Sequence, residues 1–260
     1  MEGIPILETL AHRMLWSFLI LVTILLIQNK LSTTIRTTGS LKIWSIHTLS
    51  ATCLMGNWLI YVWATQNDRI LEGALGYYIN PFLYILLGSI FLGEKHSRLQ
   101  MSAIAVAAAG VALQFPAVQG IPWAAFGLAS TFAAYGIIRK KSPLGSFDGL
   151  TLETCIMLVP ALIYISITHQ HNQAFGNDTL STCLLIATGA ATIAPLLFFA
   201  RATKSISLTQ LGILQFIAPT GQLAVGWLVY HEPMPTLRLL SFALIWLAVA
   251  IYTFSLRKQA

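Results

Sequence analysis

Residues 71–94 read LEGALGYYINPFLYILLGSIFLGE. The run has the length of a helix that crosses a bilayer, which needs about 20 mostly apolar residues. Yet it opens on Glu72 and carries Asn80 and Pro81 near its middle. A polar amide and a residue without a backbone N–H are both costly in hydrocarbon, unless that face meets protein or a water-filled cavity. The stretch therefore predicts a membrane helix with one face turned away from lipid.

The rest of the chain agrees. Of its 260 residues 56% are hydrophobic and 9% charged, with a mean hydropathy of +0.73; soluble domains carry roughly a quarter charged residues. Nine apolar spans are expected, at 10–28, 43–64, 71–92, 99–115, 122–138, 150–168, 181–200, 209–230 and 237–256. The loops between them are short, as in PAVQGIP (116–122) and KKSPLGSFDG (140–149), so neighbouring helices run antiparallel. The fold class is an all-α polytopic membrane protein. No cleavable signal peptide is expected, because Leu10 to Gln28 lacks a basic leader and a clear small-residue cleavage site. Cys53, Cys155 and Cys183 form no CxxC pair, which argues against a disulfide framework or a zinc site, and no metal or cofactor is expected.

Charge placement orients the chain. Lys30, Arg36, Lys42, Lys95, Arg98, Arg139, Lys140, Lys141, Arg201, Lys204, Arg257 and Lys258 fall on one side, and Arg13, Arg69 and Arg238 on the other. Cytoplasmic loops hold the excess of basic residues, so the C-terminus is expected inside and Met1 outside. The net charge of +6 is then a topology signal and not a nucleic-acid footprint.

An internal repeat adds organisation. Residues 71–113 align without gaps on 209–251, a shift of 138 that places Pro81 on Pro219, Gly88 on Gly226, Glu94 on Glu232 and Ala105 on Ala243. An odd number of helices per repeat reverses the second copy, which is the inverted repeat of many secondary transporters. The counterpart of span 122–138 falls at −16 to 0, outside the chain. The expected architecture is an inverted 5+5 helix repeat with the first helix absent, leaving nine transmembrane helices.

At HRMLWS (12–17), GNWLIYVWA (56–64), LEGALGYYINP (71–81) and FLGE (91–94), the chain resembles the RarD-type, chloramphenicol-sensitivity permeases of the EamA family, in the drug/metabolite transporter superfamily. The resemblance runs along essentially the whole chain. It implies ten helices in two five-helix halves, a multi-pass place in the bacterial inner membrane and transport of a small molecule. Residues 1–115 then form a first EamA-like repeat lacking its first helix, and 122–256 the second.

Polar residues inside the spans nominate a site. Ser50, Leu54, Asn57 and Tyr61 follow helical spacing; Glu72, Gly76 and Asn80 do so with Tyr77 beside them; Gln215, Pro219 and Gln222 form a third stripe. Asn57, Trp58, Tyr61, Tyr77, Asn80, Gln215 and Gln222 are the candidate substrate-binding residues, in a central cavity. Arg13, Glu72, Pro81, Glu153 and Pro219 are the candidates for gating or coupling, with Glu72 the expected proton carrier. The structural alternatives are an interhelical amide contact for Asn57 and Asn80, hydration of Glu72, and a helix N-terminus for Glu153. For Arg13 the alternative is an interface anchor, and Glu94 and Glu232 read as capping or interhelical partners. Trp63 reads as an interfacial belt residue. The alanines of SAIAVAAAGVAL (102–113) permit close helix packing. Ala125, Ala129 and Ala133 admit either a homodimer contact or packing within one bundle. His47, His169 and His171 show no metal-ligand spacing.

No GxxxxGK[ST], GxSxG or HExxH sequence occurs. A secondary transporter (permease), not an enzyme, is the expected function, acting by alternating access, with an ion gradient as the source of any coupling. The competing readings are an intramembrane enzyme acting on a lipid-soluble substrate and a truncated, non-transporting membrane protein.

Overall fold

The computed structural model describes residues 4–117, 120–168, 174–229, 231 and 235–257. They form α1 (Ile6–Ile27), α2 (Leu31–Thr37), α3 (Leu41–Gln66), α4 (Ile70–Leu92), α5 (Arg98–Ala112), α6 (Trp123–Lys141), α7 (Ser146–Thr168), α8 (Thr179–Ser205), α9 (Leu208–Gln215), α10 (Ile217–Leu228) and α11 (Thr236–Arg257), with one 3-10 turn at Phe115–Ala117. No strand occurs among the described residues. Glu232, His169 and His171 lie outside them.

Five helices are long and apolar enough to cross a membrane by length and composition: Ile6–Ile27, Ile70–Leu92, Ser146–Thr168, Thr179–Ser205 and Thr236–Leu256. The other expected spans fall on α3, α5, α6 and the α9–α10 pair. There, polar residues or short length lower the apolar content: α3 carries Lys42, His47 and Asn57, α6 ends in Arg139-Lys140-Lys141, and α5 has 15 residues. The expected single span at 209–230 is two helices meeting at Phe216. Pro219 has no N–H to give the carbonyl of Gln215 four residues back, so the helical ladder is interrupted there. Pro81 leaves α4 unbroken. The seven-residue α2 was not expected; its Thr34 hydroxyl donates to Asp148 Oδ1 at 2.7 Å.

Helix boundaries repeat with the sequence. α3, α4 and α5 begin at 41, 70 and 98, and α8, α9 and α11 begin at 179, 208 and 236, each 138 residues later. The ends are chemically specified. Gly93 takes φ +67° after α4, and the Glu94 N–H returns to the Gly88 carbonyl at 3.1 Å, a helix stop that suits glycine. Reciprocal capping boxes, Ser97 with Gln100 and Ser207 with Gln210, start α5 and α9.

The chain divides into two compact units, 1–55 with 138–205 and 56–137 with 206–260. Each draws on both sequence halves. In the first, α1 packs on α7 and α8. A Cβ at Gly189 of α8 would sit 2.6 Å from Trp16 Cβ, so the glycine sets that approach. In the second, α4 packs on α9 and α5 on α11. Ala103 and Ala107 are fully buried there, and the Ser241 hydroxyl donates to the Gly110 carbonyl at 2.7 Å. This is the close packing that the alanine run of α5 permits.

The usual pattern of a soluble protein is inverted. Leu86, Ile90, Phe91, Val159, Ile163, Ile167 and Phe198 are exposed, while His47, Asn57, Glu72, Asn80, Arg139 and Glu153 are buried. Apolar outer faces with polar groups inside suit a hydrocarbon surround.

Candidate substrate-binding site

All seven candidate binding residues belong to the second unit: Asn57, Trp58 and Tyr61 on α3, Tyr77 and Asn80 on α4, Gln215 on α9 and Gln222 on α10. The Gln222 side chain lies outside the described part.

The centre is the contact between α4 and α9. Asn80 and Pro81 sit midway along the 23 residues of α4. Opposite, Gly212 lets α9 come close, since a Cβ there would lie 2.8 Å from the Pro81 carbonyl oxygen. Asn80 Nδ2 donates to Gln215 Oε1 across this contact. The amides' other ends, Asn80 Oδ1 and Gln215 Nε2, are buried and have no hydrogen-bond partner. Turning both amides over still leaves one acceptor and one donor open. An unmade hydrogen bond on a buried polar group costs about 1–3 kcal/mol.

Tyr84, one turn beyond Asn80, is fully buried and donates to the Phe132 carbonyl at 2.9 Å. Its hydroxyl is a polar neighbour of the Gln215 amide, although Nε2 completes no hydrogen bond to it. Sequence reading passed over Tyr84, although it continues the Glu72, Gly76, Asn80 spacing by one more turn. Gly136 on α6 makes room for it, because a Cβ there would meet the hydroxyl at 2.2 Å. Tyr61 and Tyr77 face each other with ring centroids 6.1 Å apart. Trp58 is partly buried, and Pro81 and Pro219 are buried.

Asn57 points elsewhere. Its Nδ2 donates to the Leu128 carbonyl at 2.8 Å and to Thr131 Oγ1 at 3.0 Å, tying α3 to α6. Glu72 is buried at 3% exposure, not hydrated. One of its oxygens meets Arg69 Nη1 at 2.9 Å and the other accepts from the Ala124 N–H at 3.2 Å, in the first turn of α6. The Trp63 and Trp123 rings meet at a tilt of 51° near the same end, with centroids 4.4 Å apart, and Arg69 lies over Trp63. Glu94 Oε1 accepts from the Leu208 N–H at 2.7 Å and Oε2 from the Thr209 N–H at 3.0 Å, so it caps α9.

The remaining candidates, Arg13 and Glu153, lie in the first unit. Arg13 is partly buried on α1, beside His12, whose ring stacks on Phe175 at 4.6 Å. Glu153 is completely buried and bound to His47 and Ser50 of α3 and Arg139 of α6. Neither His47 nor Arg139 was picked from the sequence. His47 stands one turn before Ser50, on the same stripe that leads to Asn57 and Tyr61, and following that stripe backwards would have reached it.

Residues 1–115 match the EamA-like transporter family. The transporter YojE of Bacillus subtilis, itself uncharacterised, is 40% identical over 260 residues, covering 98% of this chain and 87% of that protein. This chain belongs to the EamA-like transporter family. The EamA chain is also 37% identical over 254 residues to the RarD protein of Escherichia coli K12, covering 96% and 85% of the two. One solved crystal structure superposes with a TM-score of 0.74 at 16% identity, covering 98% of this chain and 90% of that one, and so shares the fold. The EamA chain is a RarD-type, multi-pass membrane transporter.

Proposed function

We propose that this transporter carries a small molecule across the bacterial inner membrane by alternating access, as an ion-coupled carrier with its C-terminus in the cytoplasm. The observation that carries this reading is the Asn80–Gln215 pair, a buried donor and acceptor left open where α4 meets the broken α9–α10 helix. Discontinuous or kinked helices near the midplane are where such carriers bind substrate. The inverted repeat is supported by the common 138-residue spacing of helix starts and by the packing of α4 on α9 and α5 on α11, each pair related by that shift. In this reading residues 1–115 and 122–256 are the two halves. Tyr61 and Tyr77 offer the substrate ring faces, Pro219 shapes the α9–α10 break, and Asn57 holds α3 against α6.

The open amide ends favour a neutral substrate bearing an amide or hydroxyl groups. A relative from Pseudomonas aeruginosa, 28% identical over 271 residues, is named a chloramphenicol-sensitive RarD protein. Chloramphenicol, which has an amide and two hydroxyls, is therefore the first probe. Thermal unfolding of the purified protein is followed with chloramphenicol and with a panel of amide and hydroxyl metabolites. A ligand at 100 times its Kd adds about 2.7 kcal/mol of stability. That gain is expected to vanish in Asn80→Leu and Gln215→Leu and to persist in Asn57→Ala. A gain that survives in both leucine variants places the ligand elsewhere. A bound compound that returns chemically altered favours an enzyme, and no gain with any compound favours a non-transporting chain.

A further inference from the structure

The first unit contains a buried charged cluster separate from the residues of the amide pair. His47, Ser50, Arg139 and Glu153 are all 0% exposed, and Ser142 is 4% exposed. Glu153 Oε1 receives three groups: Ser50 Oγ at 2.7 Å, His47 Nδ1 at 3.0 Å and Arg139 Nη1 at 3.5 Å. Arg139 Nη2 also donates to the Ser146 carbonyl at 2.9 Å. The cluster has been given its space. A Cβ on Gly149 would lie 1.8 Å from Arg139 Nη1 and 2.8 Å from His47 Cε1.

Hydrogen-bond chemistry fixes the direction of donation. With Glu153 ionised the carboxylate only accepts, and Nδ1 of His47 then carries the proton between them. In a neutral ring Nε2 is then an acceptor, and it lies 2.8 Å from Ser142 Oγ. Ser142 Oγ in turn accepts from the Leu144 N–H at 3.1 Å, which leaves its own proton free to point at Nε2. Every bond in the chain from Leu144 through Ser142 and His47 to Glu153 can therefore be made with a neutral histidine. Ser142 and Leu144 belong to the α6–α7 loop, whose Pro143 and Gly145 are exposed. Nε2 thus meets the loop through the buried Ser142 hydroxyl, and the carboxylate lies on the ring's other nitrogen.

We propose that His47, backed by Glu153, is the proton-binding site of this transporter, and that proton uptake there releases Arg139 from Glu153. The proposal rests on the transporter reading and replaces Glu72 as coupling group, since both Glu72 oxygens are engaged by Arg69 and by the start of α6. An incoming proton adds to Nε2. The ring becomes a double donor, Nε2–H now donates to Ser142 Oγ, and the serine proton turns away. The imidazolium brings a second positive charge against Arg139 at the same carboxylate oxygen, where Arg139 holds the longest of the three contacts. Among the neighbouring charges, Lys204 of α8 donates to the Ser142 carbonyl and interacts with Arg139 and Lys140 of α6, and Asp148 of α7 is held by Thr34. Since α3, α6 and α7 all meet at Glu153, exchanging the cation on its oxygen changes how these helices are tied. Histidine is the side chain whose charge ordinarily changes between pH 5 and 8.

The test follows ring-nitrogen NMR signals of the protein labelled with 15N-histidine, with His47 assigned among the six histidines by its absence in His47→Asn. The expected result is a ring that is singly protonated at the alkaline end of a pH series on the folded protein and doubly protonated at its acid end. A ring that keeps one form across that range overturns the proposal. A second measurement follows the labelling of a Tyr77→Cys protein, in a cysteine-free background, by an impermeant thiol reagent at several pH values. The pH dependence of that labelling should disappear in Glu153→Gln, checked for folding by its thermal transition. If His47 titrates but labelling responds to pH equally in Glu153→Gln, the coupling is overturned. If His47 titrates and the cysteine labels from one side at every pH, the proton site stands and alternating access falls.

Discussion

Glu94 illustrates how much one side chain organises. Its carboxylate takes the Leu208 and Thr209 N–H groups and the Thr209 hydroxyl, closing the start of α9 from the end of α4. Removing it in Glu94→Ala leaves those donors unpaired, a loss of about 1–3 kcal/mol. A lower unfolding temperature of the purified protein, partly recovered in Glu94→Gln, is the expected outcome. Gly88→Ala should act alike, because its Cβ would fall 2.6 Å from Glu94 Oε2. A capping or interhelical use of Glu94 was legible because the residue follows an apolar run. Its partners on α9 were not, since they stand 114 residues away. The same limit hid the bonds of Glu72 and Asn57. A polar residue on a helix face announces that it avoids lipid, but the choice between a neighbouring helix and a substrate is made by tertiary packing. The open ends of Asn80 and Gln215 likewise appear only once both helices are in place.

At the scale of the element, proline position was readable and its consequence was not. Pro81 and Pro219 align in the repeat, yet α4 continues through one while the chain breaks at Phe216 before the other. The freed carbonyl is that of Gln215, whose side chain meets Asn80. In Pro219→Ala an N–H returns to position 219 and can donate to that carbonyl. Amide exchange across residues 213–222, read by mass spectrometry, is therefore expected to slow, and α9 and α10 to behave as one helix. Unchanged exchange would mean that packing around Phe216, and not the missing N–H, makes the break. The capping boxes of Ser97 with Gln100 and Ser207 with Gln210 were passed over, but helix positions were legible from the apolar runs. The short α2 was not, because seven polar-rich residues carry no apolar period to announce it.

For the whole molecule, composition and charge already demanded a polytopic membrane protein, and the exposed apolar faces of α4, α7 and α8 bear this out. The division of the chain into units of 1–55 with 138–205 and 56–137 with 206–260 was not visible in sequence, because it depends on which helices pack together and not on their order. The central claim is that the region around Asn80 and Gln215 opens to each side of the membrane in turn. Its most direct test replaces Cys53, Cys155 and Cys183, introduces Tyr77→Cys, and applies the impermeant thiol reagent to vesicles of either orientation. Labelling from both sides, each suppressed by a ligand that stabilises the wild type, is the predicted result. Labelling from one side alone, with or without ligand, would contradict alternating access at this site.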